Sequence, residues 1–301
     1  MKLDAHVHTI FSGKTTIYPV SKILNESYNS PEKVYRRAKA RGMDLVAITD
    51  HDTINGALTI ADRDDVVVGC EVTAVFPHDG VAVHLGVLGI NETQHREIQE
   101  LRHNIRELMP YLKVQGIFSS LNHVASRVAG KITADHIAML IPWVDGVEVL
   151  NGSRLPAQNR TAAALCEAYG KVGVAGSDSH TFRGIGQTYM VAEQATNRGE
   201  FLAMLKQGRI RVEGKHGNNF TLVSDIARLT SRFYEDAFVQ LARHPLHWRR
   251  YLMVLGSLIG LPLVSVPLLG AAVHFALEER FNQALLFDLV AKPAVRAPEL
   301  V

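Results

Sequence analysis

The stretch DAHVH, residues 4–8, places two histidines one residue apart near the start of the chain. Residues i and i+2 of a β-strand point to the same side, so a strand here presents His6 and His8 next to each other. Valine or isoleucine suits a buried strand better than histidine does, whereas two neutral imidazoles side by side can share a metal ion. Two histidines on a solvated strand face are the alternative, and the rest of the chain distinguishes the two interpretations.

Short apolar runs recur over residues 1 to about 190, and helical patterns separate several of them. Strands are predicted at Lys2–Val7, Leu45–Thr49, Val66–Cys70, Val81–Leu88, Ile117–Leu121, Gly146–Leu150 and Val172–Ala175. Helices are predicted from an N-cap at Ser30 to about Gly42, over Glu92–Gln115 and over Ala157–Tyr169, with a closing helix and strand over Glu200–Gly214. This alternation favours an α/β fold with a mainly parallel sheet or barrel. Such folds carry their chemistry at the carboxyl ends of the strands.

Metal-binding residue types stand at the ends of these predicted strands. They are His6, His8, Asp50, His51, Glu71, His84, His123, Glu148, Asn151, Asp178 and His180. Each of them alone is more simply explained as an ordinary core or surface residue, but packing does not account for such a residue at every strand end. A mixed set of imidazoles and carboxylates suits borderline or hard divalent ions such as zinc, manganese or iron.

Five short motifs follow one another in the chain: HVHTIFSG (residues 6–13), ITDHDT (48–53), GCEVTA (69–74), LNHVAS (121–126) and GSDSH (176–180). In this order they resemble the motifs of the polymerase-and-histidinol-phosphatase (PHP) family of metal-dependent phosphoesterases. The resemblance covers residues 1–215, including a segment similar to the C-terminal cap of that domain. It implies an α/β fold, a distorted seven-stranded (β/α) barrel, that holds two or three divalent ions.

The resemblance also implies which residues bind those ions. One ion is matched by His6, His8, Glu71 and Asp178, with Glu71 bridging to a second ion. The second ion is matched by His123, with His84 as a further ligand, and the third by His51 and His180. Asp4 and Asp50 are expected to accept hydrogen bonds from metal-bound imidazoles and so to orient them.

One departure from the family pattern concerns the third ion. Family members often carry Asp or His five or six residues after the second histidine of the first motif, where this chain has Gly13 and Lys14. The insertion between Gly13 and Ser30 is also longer than usual. Either the third ion is absent, or the insertion supplies a ligand such as Glu26, or Lys14 replaces a cation and holds a substrate phosphate. An ordinary exposed lysine at position 14 is the remaining alternative.

The expected reaction is metal-dependent hydrolysis of a phosphoester, a small phosphomonoester or a nucleotide, by a hydroxide that the metals share. Asp178, His51 and His180 are the candidate catalytic residues, with either histidine as the acid that protonates the leaving group if it is not occupied as a ligand. Arg154 and Arg183 are candidate phosphate ligands; both also fit as surface arginines.

Two other classes of function stay open: a non-catalytic metal-binding scaffold at a membrane, and an exonuclease on short nucleic acid. The chain has 32 basic and 30 acidic residues and a formal charge of +2, so it lacks a strong nucleic-acid footprint. The start of the chain has no apolar run of the signal-peptide kind, and only Cys70 and Cys166 are present. A cytoplasmic catalytic domain is therefore expected, and the oligomeric state stays unknown.

The remaining residues, 216–301, are predicted to form a helical extension with an apolar segment. Leu252–Val273 contains no charged residue over 22 positions, which as a helix is about 33 Å long and long enough to cross a bilayer. Arg249 and Arg250 precede it on the side expected to stay in the cytoplasm. The alternative is a buried hairpin of two short helices, broken near Pro262 and Pro267.

Overall fold

Strands and helices alternate along the chain, as the periodicity of the sequence predicts. The computed structural model describes residues 1–15, 25–127, 131–243, 248, 251, 255 and 276–288. The strands are β1 (Lys2–Asp4), β2 (Leu45–Ile48), β3 (Val66–Val75), β4 (Ala82–Leu88), β5 (Phe118–Leu121), β6 (Gly146–Asn151), β7 (Val172–Gly176), β8 (Thr188–Val191) and β9 (Arg211–Gly214). The helices are α1 (Pro31–Ala40), α2 (Asn55–Leu58), α3 (Glu92–Leu101), α4 (Ile105–Val114), α5 (Ala134–Leu140), α6 (Pro156–Ala168), α7 (Arg198–Lys206) and α8 (Asn219–Arg243), and residues 276–288 are helical as well.

The strands form one sheet in the order β7-β6-β5-β4-β3-β2-β1-β8-β9. The pairs β1–β2, β2–β3, β5–β6 and β6–β7 are parallel, whereas β4 is antiparallel to both of its neighbours. The prediction of an α/β, barrel-like fold is confirmed, but the sheet has nine strands rather than the seven that the resemblance implied. The two additional strands extend the sheet beyond β1, because β8 pairs antiparallel with β1 and β9 with β8.

The sheet nearly closes on itself where the carboxyl ends of β1 and β7 meet. Val7 and Ser179 form an isolated parallel bridge, and the His8 N–H donates to the Ser179 carbonyl at 3.1 Å. Gly176 permits this approach, because a Cβ atom at that position would lie 2.3 Å from the Cβ of His6. Closure therefore brings the residues that follow β1 next to those that follow β7, at one mouth of the barrel.

The apolar core lies between the sheet and the helices that cover its outer face. In the largest cluster, Leu85 of β4 packs with Leu108 of α4. A second cluster joins Leu3 of β1 to Phe201 of α7, and a third contains Val34 of α1. The helices bury the apolar side chains on the outer face of the sheet. Polar side chains line the inner face at the mouth.

Two helices, not one, occupy the range 92–115. The side chain of Asn104 accepts a hydrogen bond from the N–H of Arg106 at 3.2 Å and caps the start of α4. A side chain that bonds the backbone in this way favours a helix start over a helix interior. The prediction of one continuous helix over Glu92–Gln115 is wrong for this reason.

Residues 276–288 pack against the wall of the barrel. Leu285 is buried in the largest apolar cluster. The buried Glu278 carboxylate accepts hydrogen bonds from the N–H of Arg127 at 3.1 Å and from Nε2 of Gln158 at 2.7 Å. This helix thus contacts the loop that follows β5. The domain boundary near residue 215 stays a prediction.

The apolar segment Leu252–Val273 lies outside the described residues, apart from Leu255. Within the ranges that the structure does describe, no helix combines the length and the apolar character needed to cross a bilayer. The membrane contact predicted for this segment stays a prediction.

Candidate metal centre

Four predicted ligands meet where β1, β3 and β7 come together. Nε2 of His6 lies 3.1 Å from Oε2 of Glu71 and 3.7 Å from Oδ1 of Asp178. Nε2 of His8 lies 3.4 Å and 3.6 Å from the same two oxygens. All four side chains are buried. The two imidazoles of the opening motif therefore converge on two carboxylates, and we call these four residues the first cluster.

The other oxygen of Glu71 faces a second cluster, formed with His123 and His84. Oε1 lies 2.9 Å from Nε2 of His123 and 3.5 Å from Nδ1 of His84. His123 lies in the loop after β5, whereas His84 projects from the middle of β4. Asn122 donates to the same oxygen at 2.9 Å and fixes the carboxylate plane. Glu71 thus presents one oxygen to each cluster.

A third cluster lies on the outer side of the first. His51 and His180 stack on the ring of His8, with centroids 4.6 Å and 4.3 Å away. Nδ1 of His51 lies 3.3 Å from Oε2 of Glu71. Glu26 contacts both outer histidines. All eight residues predicted as metal ligands are thus brought together at one mouth of the barrel.

Hydrogen bonds to the far side of each ring turn Nε2 of His6 and His8 towards the carboxylates. Nδ1 of His6 contacts Oε1 of Glu148 at 2.8 Å. Nδ1 of His8 contacts Oγ of Ser12 at 3.0 Å, and that hydroxyl donates to Asp50 at 2.7 Å. We assign the proton of each ring to Nδ1 from this network, which leaves Nε2 as a lone-pair donor. Asp50 therefore reaches its imidazole through a serine.

Glu148 stands at the end of a predicted strand without a predicted role, and its hydrogen bonds give it one. Its second oxygen accepts the N–H of His123 at 2.9 Å and Nδ2 of Asn151 at 2.8 Å. One buried carboxylate therefore orients ligands of both the first and the second cluster. The available signal was its place in VEVLN, a strand otherwise composed of apolar residues and ended by an asparagine.

Asp4 was expected to orient an imidazole, and the structure gives it other partners. Its carboxylate accepts backbone N–H groups from Ser177 and Gly186, both at 2.8 Å, and from His6 at 3.3 Å. Burial raises the pKa of Asp4 to about 6, against these hydrogen bonds. Asp4 holds the backbone on either side of the barrel closure, because its side chain turns towards β7 and the loop before β8.

The carboxylates and histidines of the clusters shift one another's protonation. Burial lowers the pKa of His6, but the charges of Glu71 and Glu148 outweigh it and raise this pKa well above its ordinary value. Burial raises the pKa of Glu71, and the surrounding histidines, His6 foremost, bring it well below its ordinary value. The pKa of His84 is lowered, mainly by burial. The carboxylates thus stay ionised and need positive charge beside them, which a divalent cation supplies in exchange for protons.

Two of the candidate ligands sit on strained backbone. His123 has φ 27° and Asp178 has φ 49°, in the left-handed region that residues with a Cβ adopt rarely. Each such residue costs about 1–3 kcal/mol. Hydrogen bonds from the Ser153 hydroxyl to the Asp178 carbonyl and from the His123 N–H to Glu148 hold these conformations. Strain retained at these positions is typical of a functional site.

The donor set fits divalent metal ions. Among the described residues, buried polar atoms that lack a hydrogen-bond partner include Nε2 of His6, Nε2 of His8, Oε2 of Glu71 and Nδ1 of His84. A buried polar atom without a partner costs about 1–3 kcal/mol. Donors that share one ion at about 2.1 Å lie roughly 3.0–3.5 Å apart, close to the separations found here. These residues can therefore hold divalent metal.

The three predicted substrate-binding residues lie in different surroundings. Arg154 donates from Nη2 to Oδ2 of Asp178 at 2.8 Å and so borders the first cluster. The guanidinium of Arg183 lies 5.3 Å from the ring centroid of Phe220 on α8. Lys14 is exposed, and its backbone bridges to Asn25. Arg154 is therefore hydrogen-bonded to a candidate ligand.

A further group of histidines and a carboxylate, His78, Asp79 and His136, lies away from the mouth. Their ligand atoms are close enough for a metal. However, Nδ1 of His136 accepts the N–H of Thr133 at 3.2 Å, and its Nε2 lies 2.8 Å from Asp79. Since a neutral imidazole carries one proton, Nε2–H donates to Asp79. Hydrogen bonding accounts for this group, which ties the β3–β4 turn to α5.

Three comparisons relate the chain to known proteins. The sequence model of the PHP-associated family matches residues 156–210. The chain is 30% identical over 156 residues to the uncharacterized protein MJ1587 of Methanocaldococcus jannaschii, covering 50% of this chain and 82% of that protein. PsfC from Pseudomonas syringae PB-5123 shares the fold with a TM-score of 0.53 at 16% identity, covering 76% of this chain and 98% of that one. An amidohydrolase from Chromobacterium violaceum gives a TM-score of 0.49 at 18% identity, covering 69% and 97%.

The chain belongs to the PHP family. Its five motifs meet at one mouth of a nearly closed barrel, and the PHP-associated match spans the last of them, GSDSH. The resemblance drawn from the motifs is thereby confirmed.

We expect Glu148→Gln to weaken metal binding by about 10- to 100-fold, the usual effect of removing a carboxylate that orients a ligating histidine. Glutamine keeps the shape but has one acceptor oxygen, which cannot serve both His6 and the His123 N–H. Titration of the metal-free protein with Mn²⁺ measures the effect. Glu167→Gln, an exposed position on α6, is the control. Unchanged affinity in Glu148→Gln would show that Glu148 does not orient the ligands.

Proposed function

We propose that this protein is a metal-dependent phosphoesterase that hydrolyses a small phosphomonoester or a nucleotide. The observation that carries the proposal is the position of Glu71. Its Oε2 faces His6 and His8, and its Oε1 faces His123. A buried carboxylate shared in this way supports two neighbouring divalent ions. We place the catalytic unit within residues 1–215.

The proposed first ion would be held by His6, His8, Glu71 and Asp178. The second would be held by Glu71, His123 and His84. When bound, two such ions lower the pKa of a coordinated water towards neutrality and neutralise the charge that gathers on the phosphoryl oxygens. Zinc, manganese and iron all suit this mixture of imidazoles and carboxylates.

Arg154 is the chain's own candidate for holding the phosphate. It is anchored by Asp178, and its Nε is buried without an acceptor among the residues that the structure describes. An N–H group of this kind can donate to a phosphoryl oxygen and add to the charge neutralisation. Arg183 is paired with the ring of Phe220 and is the weaker candidate.

Proton donation to the leaving oxygen falls to His180 or His51 in this proposal. Nδ1 of His180 contacts the Asp178 carbonyl at 3.1 Å, so Nε2 is the nitrogen left to donate a proton. The same nitrogen cannot donate a proton and bind a metal at once. The occupancy of the third cluster therefore decides whether His180 acts as an acid or as a ligand.

The test uses the full-length protein, stripped of metal by chelation and then supplied with Mn²⁺, Zn²⁺ or Fe²⁺. Substrates are p-nitrophenyl phosphate, a panel of phosphorylated metabolites and nucleotides, and a short single-stranded oligonucleotide. Turnover of a phosphomonoester that appears on metal addition is the expected result. Cleavage of the oligonucleotide alone would favour an exonuclease. Bound metal without turnover of any substrate would favour a scaffold.

A further inference from the structure

Glu26 lies between the two histidines of the third cluster, although it comes from the insertion rather than from a motif. Its Oε2 is 3.4 Å from Nε2 of His51, and its Oε1 is 3.6 Å from Nε2 of His180. The carboxylate is 17% exposed, so it is partly withdrawn from water. Two nitrogens and a carboxylate thus converge from three separate parts of the chain.

The backbone around Glu26 is hydrogen-bonded to the same chain segments that carry the motif histidines. The N–H of Glu26 donates to the Gly13 carbonyl at 3.0 Å. The hydroxyl of Ser27 donates to the carbonyls of His8 at 3.1 Å and His180 at 3.2 Å. The position of the carboxylate is therefore set by the barrel mouth itself.

The hydrogen bonding of His180 leaves a lone pair on the ring nitrogen that faces this carboxylate. Nδ1 of His180 contacts a carbonyl, the Asp178 oxygen, and must be the protonated nitrogen of a neutral ring. Its Nε2 then offers a lone pair towards Glu26. His51 likewise turns Nε2 towards Glu26 and Nδ1 towards Glu71. Ligand atoms of His8, His51 and His180 lie within 4.8 Å of one another.

We propose that Glu26 is a ligand of a third divalent ion, together with His51 and His180. Gly13 and Lys14 stand where an Asp or His ligand of the third ion is expected, and Glu26 supplies that ligand instead. It supplies the negative charge that two neutral imidazoles lack. This inference rests on the proposed function for the chemistry of the mouth, but its ligands are residues other than those assigned to the first two ions. As a ligand, His180 is not the proton donor.

The test counts ions in the full-length protein after saturation with Mn²⁺ and removal of excess, by mass spectrometry of the metal. We expect three ions per chain in the wild type and two in Glu26→Gln, because the amide keeps the shape but loses the charge. Titration should show the weakest class of sites lowered at least tenfold in affinity. Glu100→Gln, exposed on α3, is the matched control and should bind as the wild type does.

Two results would overturn the inference: two ions in the saturated wild type, or a third ion that Glu26→Gln retains with unchanged affinity. The first would make Glu26 an ion-pair partner of His51 and His180. Hydrolysis is measured separately on the same samples. Three ions in the wild type and two in the variant, without turnover, would refute the proposed function and keep the assignment of Glu26. Turnover with two ions in both proteins would refute the assignment of Glu26 and keep the proposed function.

Discussion

His8→Ala is expected to lower phosphoester hydrolysis by roughly 10³-fold or more, because a metal ion contributes several kcal/mol to a transition state of this kind. His8 is fully buried, and its Nε2 faces both Glu71 and Asp178. Its ring also supports the stacked rings of His51 and His180. The substitution therefore removes a ligand of the first cluster and loosens the third.

The fold should survive this change, because the ring contacts other ligands and one serine rather than the apolar core. Metal content, activity and far-UV circular dichroism are measured on the same preparation. We expect fewer ions per chain, no detectable turnover and an unchanged spectrum. His103→Ala, an exposed histidine before α4, is the control for the loss of a histidine. Full activity in His8→Ala would refute the assignment of the first cluster.

Local periodicity predicted part of the arrangement at the barrel mouth. The i, i+2 spacing of His6 and His8 predicts a shared face, and both Nε2 atoms do lie within 4 Å of Glu71. Polar residues after apolar strands predict a common edge, which brings Asp178 to the same place. These inferences work because they need only the two-residue period of a strand and the parallel arrangement of β1 and β7.

Contacts between distant parts of the chain could not be predicted in the same way. Glu148 is separated from His6 by 142 positions. The two-residue period of a strand predicts the side of the sheet on which Glu148 lies but not the ring that it contacts. Asp4 shares a face with His6 in the pattern, yet barrel closure offers it backbone N–H groups instead. The strand β8 was missed because its pairing with β1 joins opposite ends of the domain.

The positions of the insertion residues depend on contacts with the barrel. Glu26 was one of several residues that the pattern allowed, and Lys14 was another. The choice depends on the bridge between Lys14 and Asn25 and on the bonds of Ser27. These contacts form only when both ends of the insertion meet the completed barrel, so they are a property of the fold.

Glu71→Gln is expected to have the largest effect of any single substitution, because one carboxylate serves two clusters. Its oxygens face His6 and His8 on one side and His123 on the other. Glutamine has the same shape but one acceptor oxygen and no charge. Two dications left without a shared anion repel each other strongly at short distance in a medium of low dielectric constant. Both proposed ions should therefore be lost together.

We expect fewer than one ion per chain in the two clusters of Glu71→Gln. Because both ions are lost, activity should fall by about 10⁴-fold or more, where each tenfold in rate corresponds to about 1.4 kcal/mol of activation free energy. His123→Ala is the informative comparison. His123 contacts the Oε1 side of Glu71, and His123→Ala should lose the second ion while keeping the first. If Glu71→Gln instead lost a single ion, as His123→Ala is expected to, the carboxylate would belong to one cluster only. The arrangement of two ions around a shared glutamate would then have to be abandoned.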